Sequence, residues 1–486
     1  MSARQRYYKP ALMVLALIFF SASARMQVWL NQDRQLLGIT KLTPLENAPP
    51  VLAFTSVALG GFRGLIANAL WIRASDMQEN EKYFEMVQLA DWITKLEPHF
   101  VQVWLEQAWN MSYNISVKFK DPEDRWRWVM RGITLLRDEG LKYNPDETLI
   151  YREISWLFQH KIGQNLDDAH MTYKYHWAEE MNQIFTNRAS IADLANPQSE
   201  DSRRRAQKLR EIYKMDPKLV LEVDKLYGPL DWRLPDAHSI YWAELGRRTA
   251  RPKDQETLRR SIYQTMQQAC VRGGTIRANK IDPKQFMLGP NLDLVPTVSA
   301  AYEKMIAEES SIQLNMMTGH KNFLLTAIFL LYSDDRKQQA QYWFDYVKKK
   351  YPPSIQPPNM TLEDFAVREI TSSVAETDMH EITAVIEGLL RTEFLRRIMD
   401  EDEQAVNYHS LAQRVWSHYN SQIKGAANNR VDIGSLDAMR AQVLKKMLDP
   451  DGGMSPEYAT VLRIKLKMLG IPDPTVVAPA VPEAKK

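Results

Sequence analysis

Apolar side chains along this chain recur at helical spacing, interrupted at intervals by proline. Residues 93–115, ITKLEPHFVQVWLEQAWNMSYNI, read as helix on either side of Pro98, because apolar positions three and four apart share one face of a helix. Trp104 stands six residues after that proline, and Ala108 four further on, on the same face. The punctuation returns at Pro145, followed by Tyr151, Ser155 and Phe158. The stretch 322–352, NFLLTAIFLLYSDDRKQQAQYWFDYVKKKYP, has Ala340, Phe344 and Val347 ahead of Pro352. Its SDD at 333–335 supplies a turn and a cap between two helices. Leu258, Ile262, Met266 and Cys270 form a further stripe at four-residue spacing, so the single cysteine is expected to be a buried free thiol. The pattern predicts an all-α chain.

A proline that closes a helix pair, then a large and a small residue four apart, resembles the tetratricopeptide repeat, a unit of ~34 residues with A-x3-F and a closing proline. WAELG at 242–246 is that family's W-x2-L-G as it stands, with Pro235 one residue out of phase. The recognisable units are 67–100, 101–147, 148–188, about 238–273 and 319–352. The second is overlong because KFKDPEDRW restarts a helix, with Asp121 as cap and Pro122 at the first helical position. The order GGFRG…W, EP…W…AWN…YN, YNP is also similar to a group of bacterial membrane-anchored repeat proteins over roughly residues 1–180, a likeness that implies no activity.

The resemblance implies an α-solenoid, since a helix pair apolar on two faces is buried only by stacked neighbours. The first helix of each pair would line the concave side. The family's register then places Trp71, Leu105, Trp109, Arg152 and Trp156 on that side, with Tyr113, Gln159 and His160 one turn beyond. In many members such positions are polar and hold a peptide carboxylate. Here they are largely aromatic, so the expectation is an apolar groove for a helix or extended segment of a partner protein. The competing reading is that these rings pack against a following helix, since Trp and Tyr at helical spacing serve cores more often than sites.

Other regions are less regular. Residues 189–237 hold a polar helix, SEDSRRRAQKLREIY, then Pro217 and the loop YGPLDWRLPDAHS, an insertion serving as lid or padding. Residues 238–352 return to repeats around a Gly- and Pro-punctuated loop at 273–296. In the C-terminal region 353–470, helices are expected near 361–375, 379–399, 402–423 and 433–448, the first with a capping box of Thr361 and Asp364. Residues 471–486 have the composition of a disordered tail.

The N-terminus bears on location. MSARQRYYKP carries Arg4, Arg6 and Lys9 ahead of ALMVLALIFFSASA, with no further charge until Arg25. A basic flank before an apolar core is an export signal. Retained, residues 10–30 anchor the chain in the membrane with Trp29 at the interface; cleaved near Ala24, they release a soluble periplasmic or secreted protein. The retained single span is preferred, with the bulk of the chain on the periplasmic side because a positive flank stays cytoplasmic. Residues 31–66 are then membrane-proximal. A second apolar patch, VLAFTSVALGGFRGLIANALWI (51–72), has Arg63 in its middle, which costs ~2.5–3.5 kcal/mol in a bilayer. It is expected to be the buried first helix of the folded part.

Charge and motifs narrow the chemistry. The net charge is +2, which leaves no cationic surplus for a phosphate backbone, so nucleic acid is not expected as a partner. There is no P-loop and no G-x-S-x-G, and HEITA at 380–384 has Ala384 where a second metal-binding His would stand. His160, Asp167, Asp168, His170 and His176 cluster locally, but His170 and His176 fall ~240° apart on one helix. Capping carboxylates and surface histidines are the reading there. No catalytic group, cofactor or metal is assigned. The sequence points to a membrane-tethered scaffold for protein–protein interaction in the cell envelope, not an enzyme. Two other classes stay open: a subunit of an envelope enzyme complex with chemistry within 189–318, and a cleaved periplasmic binding protein.

Overall fold

The computed structural model describes residues 3–36, 63–186, 190–272, 274–277, 287–308, 313–371, 379–424, 434–450 and 453–475. Within them the chain is all-α apart from one short hairpin, β1 (Thr275–Arg277) paired antiparallel with β2 (Met287–Gly289). That hairpin lies in the stretch expected to be loop. Strands of three residues are too short to leave an alternating pattern.

The first helix, α1 (Ala3–Leu36), contains an apolar window, Leu12–Leu30, that is exposed throughout. It is the one helix among the described residues long and apolar enough to be a signal anchor or a membrane span. Next come α2 (Arg63–Glu79) and α3 (Tyr83–Leu96), which pack on each other. The burial expected for the 51–72 patch holds only in part. Residues 51–62 lie outside the described residues; Ala67 is buried, but Leu65, Ile66 and Ile72 are exposed. The reason is that α2 makes its contact with small residues, Ala67 and Ala74.

Three helices then run on into π-helical turns: α4 (Val101–Trp109) into Asn110–Ile115, α5 (Pro122–Thr134) into Leu135–Gly140, and α6 (Thr148–Trp156) into Leu157–Ile162. Asp121 caps α5 through the Glu123 amide, as expected. The recurring spacing after proline has a physical cause. A proline cannot donate to a ladder and ends the helix before it, and the carbonyl it leaves at the turn needs a donor. Trp104 Nε1 donates to the Pro98 carbonyl at 2.9 Å, and the Tyr151 hydroxyl donates to the Pro145 carbonyl at 2.8 Å. Both rings are buried. The small residue four further on marks a close approach: Ser155 Oγ lies 3.0 Å from Ser239 Oγ on α11 (Pro235–Thr249).

Between α6 and α11 the chain makes an excursion through α7 (His170–Asn182), α8 (Ser190–Ala195), α9 (Glu200–Glu211) and α10 (Pro217–Tyr227). Much of this is the 189–237 segment, expected to be a lid or padding. Its Ile191, Leu194, Leu209, Val220, Val223, Leu230 and Trp232 instead join the same core as Trp104 and Phe158. Phe158, Trp177, Phe185 and Trp232 surround the buried His238, whose Nε2–H donates to the Trp232 carbonyl at 2.9 Å.

The helix α12 (Pro252–Arg272) buries Leu258, Ile262, Met266 and Cys270 on one face, as their spacing predicts. It is followed by α13 (Val295–Glu308), α14 (Gln313–Ser333) and α15 (Lys337–Lys350), where Ala340, Phe344 and Val347 are buried. The turn before α15 forms with Asp335 at φ +60°, but no side chain caps the helix; Asp334 pairs with Arg336 instead. The C-terminal helices are α16 (Leu362–Thr371), α17 (Met379–Ile398), α18 (Asp402–Lys424), α19 (Leu436–Met447) and α20 (Pro456–Met468), the last not foreseen. At α16 the Thr361 hydroxyl accepts from the Asp364 amide and donates to the Asp364 carboxylate, half of the expected box.

Candidate functional site

The end of α4 and the end of α6 each carry an aromatic pair four residues apart. Trp109 stacks on Tyr113 with ring centroids 4.2 Å apart, and Trp156 stacks on His160 at 4.4 Å. The stacking follows from the π-helical turns. Their i→i+5 bonding widens the helix and brings residues four apart nearly into line. The Tyr113 hydroxyl lies 2.9 Å from His160 Nδ1 and so joins the two pairs. Burial and the Lys161 charge lower the His160 pKa, so the ring that shares this hydrogen bond is held in its neutral form.

A cavity of about 430 Å³ opens between these pairs and α12. One wall is Trp109, Arg152, Glu153, Trp156 and Gln159; the other is Thr257, Arg260, Ser261 and Gln264. Its volume lies in the range of ligand pockets, ~300–1,000 Å³. Of the eight residues singled out from the sequence, Trp109, Arg152, Trp156 and Gln159 line this cavity, and Tyr113 and His160 brace it. Trp71 and Leu105 do not belong. Trp71 packs on Phe100, centroids 5.6 Å apart, in a small separate cluster, and Leu105 lies half-buried against the main core. Both stand one unit or one turn too early to face α12.

The polar groups of the cavity are incompletely paired. Glu153 Oε1, Trp156 Nε1 and Gln159 Nε2 are buried without a hydrogen-bond partner. Trp156 Nε1 nevertheless stands close enough to the Tyr113 oxygen to weigh against the rise that burial and Glu153 impose on that hydroxyl's pKa; its geometry falls short of a bond. Each unsatisfied buried group costs about 1–3 kcal/mol. Burial pushes the Glu153 carboxyl up to about 7, helped by Glu106 and opposed by Arg152. Arg260 at the rim is engaged by Glu256.

Glu153 and the α12 face are the parts that sequence reasoning missed. Glu153 sits beside Arg152 and could have been found by its position on the same helix. The α12 residues could not, because nothing in a linear pattern pairs residues 257–264 with residues 152–159.

A second cavity, of about 310 Å³, is lined by His170, Lys174, Asp236, Gln268 and Arg272 among others. Lys174 is buried and donates to the Gln164 carbonyl, Asn165 Oδ1 and His170 Nδ1. Burial lowers its pKa to about 8, against the pull of Asp236, and burial raises Asp236 to about 7, against the pull of Lys174.

The histidine and aspartate cluster near residues 160–176 is occupied by protein partners. Asp167 accepts from Lys161 at 2.7 Å, Tyr173 at 2.9 Å, Arg125 at 3.0 Å and the Ala169 amide at 2.9 Å. Burial alone would raise its pKa, but these donors hold it well below the ordinary range. His176 pairs with Glu123 at 2.7 Å.

Comparison with family models, with curated proteins and with solved structures gives no match for this chain.

Proposed function

We propose that this protein is a membrane-tethered scaffold built as a tetratricopeptide-like α-solenoid, and that it recruits a segment of another protein into the groove between α4, α6 and α12. The observation that carries the reading is the convergence of Trp109, Tyr113, Arg152, Trp156, Gln159 and His160 on one open cavity. Aromatic anchors around a cleft are what hot-spot recognition of a peptide uses. The Pro98–Trp104 and Pro145–Tyr151 hydrogen bonds give the repeat punctuation a common cause, which supports the repeat reading. The exposed apolar helix Leu12–Leu30 supports tethering, and the basic residues before it favour an extracytoplasmic position for the rest.

A photo-crosslinking amino acid at position 152, in the full-length protein in intact membranes, tests this. A discrete protein adduct is expected at position 152, lost with Trp109→Ala/Trp156→Ala while circular dichroism shows an unchanged helix content. Adducts that persist in that folded variant would reject the groove.

A second reading, chemistry where the 189–318 span meets α7, is favoured by one observation. Lys174 and Asp236 face the same cavity, and burial moves their pKa values towards each other, to about 8 and about 7. A proton-transfer pair requires such matching.

A further inference from the structure

Residues 65–72 of α2 are apolar on every side, and protein covers only one of those sides. The stretch reads LIANALWI, with Asn68 its single polar side chain. A helix apolar all round belongs to a covered setting rather than to water. The inner side of α2 has such a setting: Ala67 packs with Ala90, Ile93 and Val103, and Leu70 and Trp71 lean on the same cluster. The outer side has none. Leu65 is 64% exposed and Ile72 71%, and residues seven apart lie within ~20° of one line along a helix. A terminal repeat keeps its array soluble through a polar outer face. Here Arg73, Asp76 and Glu79, all exposed, supply that face only in the second half of α2.

The apolar half is also the half that the chain reaches first from α1. Residues 37–62 connect the two helices, and a flexible chain of that length spans on the order of 30 Å. It carries no charge from Asn47 to Phe62. Antiparallel α3 brings its C-terminal end level with Leu65, since a Cβ on Gly64 would stand 3.9 Å from Glu97 Oε1. On that end Trp92 is 54% exposed. Lys95 and Asp91 pair there at 2.6 Å and bring no net charge. Tryptophan beside aliphatic side chains suits the boundary between lipid headgroups and acyl chains. Polarity here changes along the helix rather than around it. A bilayer approached from the α1 side covers the near half of α2 and leaves the far half in water.

We propose that the first helix pair docks on the membrane, with Leu65 and Ile72 entering the acyl boundary and Trp92 at headgroup level. This rests on α1 being a retained span. The chain then meets the bilayer at two points, and the partner groove that follows is held at a set height above it.

The test is a nitroxide scan of the full-length protein in phosphatidylcholine nanodiscs, in a Cys270→Ala background that leaves no other thiol. Single labels are placed at Ile72→Cys and Trp92→Cys, at Phe20→Cys in the apolar window of α1, and at Ile212→Cys, an exposed position at the end of α9. Collision with oxygen, which concentrates in lipid, is compared with collision with a water-soluble nickel chelate. The oxygen-to-nickel ratio at position 72 is expected to be severalfold higher than at 212 and to approach that at 20, with 92 between them. Adding Leu65→Glu is expected to lower the ratio at 92 to that at 212, with helix content and the ratio at 20 unchanged.

A ratio at position 72 equal to that at 212, with position 20 in lipid, overturns the docked face and leaves the span standing. A label at 72 shielded from both reagents means that protein covers the face, and overturns the proposal equally. So does a ratio at 92 indifferent to Leu65→Glu. A label at position 20 that meets water removes the span, and the docked face with it.

Discussion

Trp104 and Trp109 are five residues apart on one helix, and their surroundings give them opposite duties. Trp104 is 1% exposed and donates its N–H to the carbonyl of Pro98. Trp109 is 39% exposed and stacks on Tyr113 at the cavity. Truncating a buried Trp removes its transfer energy and leaves a cavity, about 3–5 kcal/mol. Truncating Trp109, whose site is open to solvent, forfeits its ring contact and the area it buries but leaves no enclosed cavity, so its loss is smaller by about 1–2 kcal/mol. Urea unfolding of Trp104→Ala and Trp109→Ala is expected to separate by that margin. Equal losses would make Trp109 a core residue and remove the basis for the groove. Trp104→Phe isolates the hydrogen bond and is expected to cost about 1 kcal/mol beyond the change in ring size.

Helices approach one another here where the sequence places its smallest residues. A Cβ on Gly246 would stand 2.5 Å from the Cβ of Tyr151, closer than side chains tolerate, so α11 can lie on α6 only with glycine there. Gly246→Ala is therefore expected to destabilise by about 1–3 kcal/mol through overpacking, and Tyr151→Ala in the same chain should recover part of that loss in a double-mutant cycle. Additive losses would mean that the helices do not touch at this point. A second junction is electrostatic. Glu393 on α17 is fully buried and bonds Arg397 on its own helix, His409 on α18 and Arg440 on α19. Glu393→Leu strands three cations and is expected to cost about 3–5 kcal/mol, whereas Arg440→Leu leaves Glu393 with Arg397 and His409 and is expected to cost less, the pair together costing less than the sum.

Both junctions also show what linear pattern conveys. The WAELG motif and the proline-to-aromatic spacing marked α4, α6 and α11 because those contacts are built from local, periodic residues. Glu393, the core role of Trp232 and the face that α12 turns to the cavity escaped notice, since each depends on which distant helix arrives beside it. The 189–237 segment misled for a related reason. Its α9 is mostly charged, and the buried set on it reduces to Ser202, Ala206 and Leu209, a stripe too narrow to announce a core helix.

At the scale of the molecule, buried ionisable groups of opposite habit are spread through one core. His238 and His320 are buried and neutral, with burial lowering each to about 4 from 6.5. Between those values the unfolded chain takes up protons that the folded chain refuses, so each histidine withdraws stability as pH falls, by about 1.4 kcal/mol per pH unit. Glu153 and Asp236 do the reverse. Burial raises both to about 7, from 4.5 and 3.8, so the folded chain holds protons that the unfolded chain has released, and stability grows as pH falls from 7 towards 4.5. Over the shared window, roughly pH 4.5 to 6.5, the four contributions nearly cancel, and these groups leave wild-type stability almost flat. Removing the two acids exposes the histidines. Glu153→Gln/Asp236→Asn is expected to lose stability on acidification more steeply than wild type, by about 2.7 kcal/mol per pH unit, in urea unfolding followed by circular dichroism at half-unit steps. Parallel pH profiles would mean that Glu153 and Asp236 ionise in the fold as they do in water.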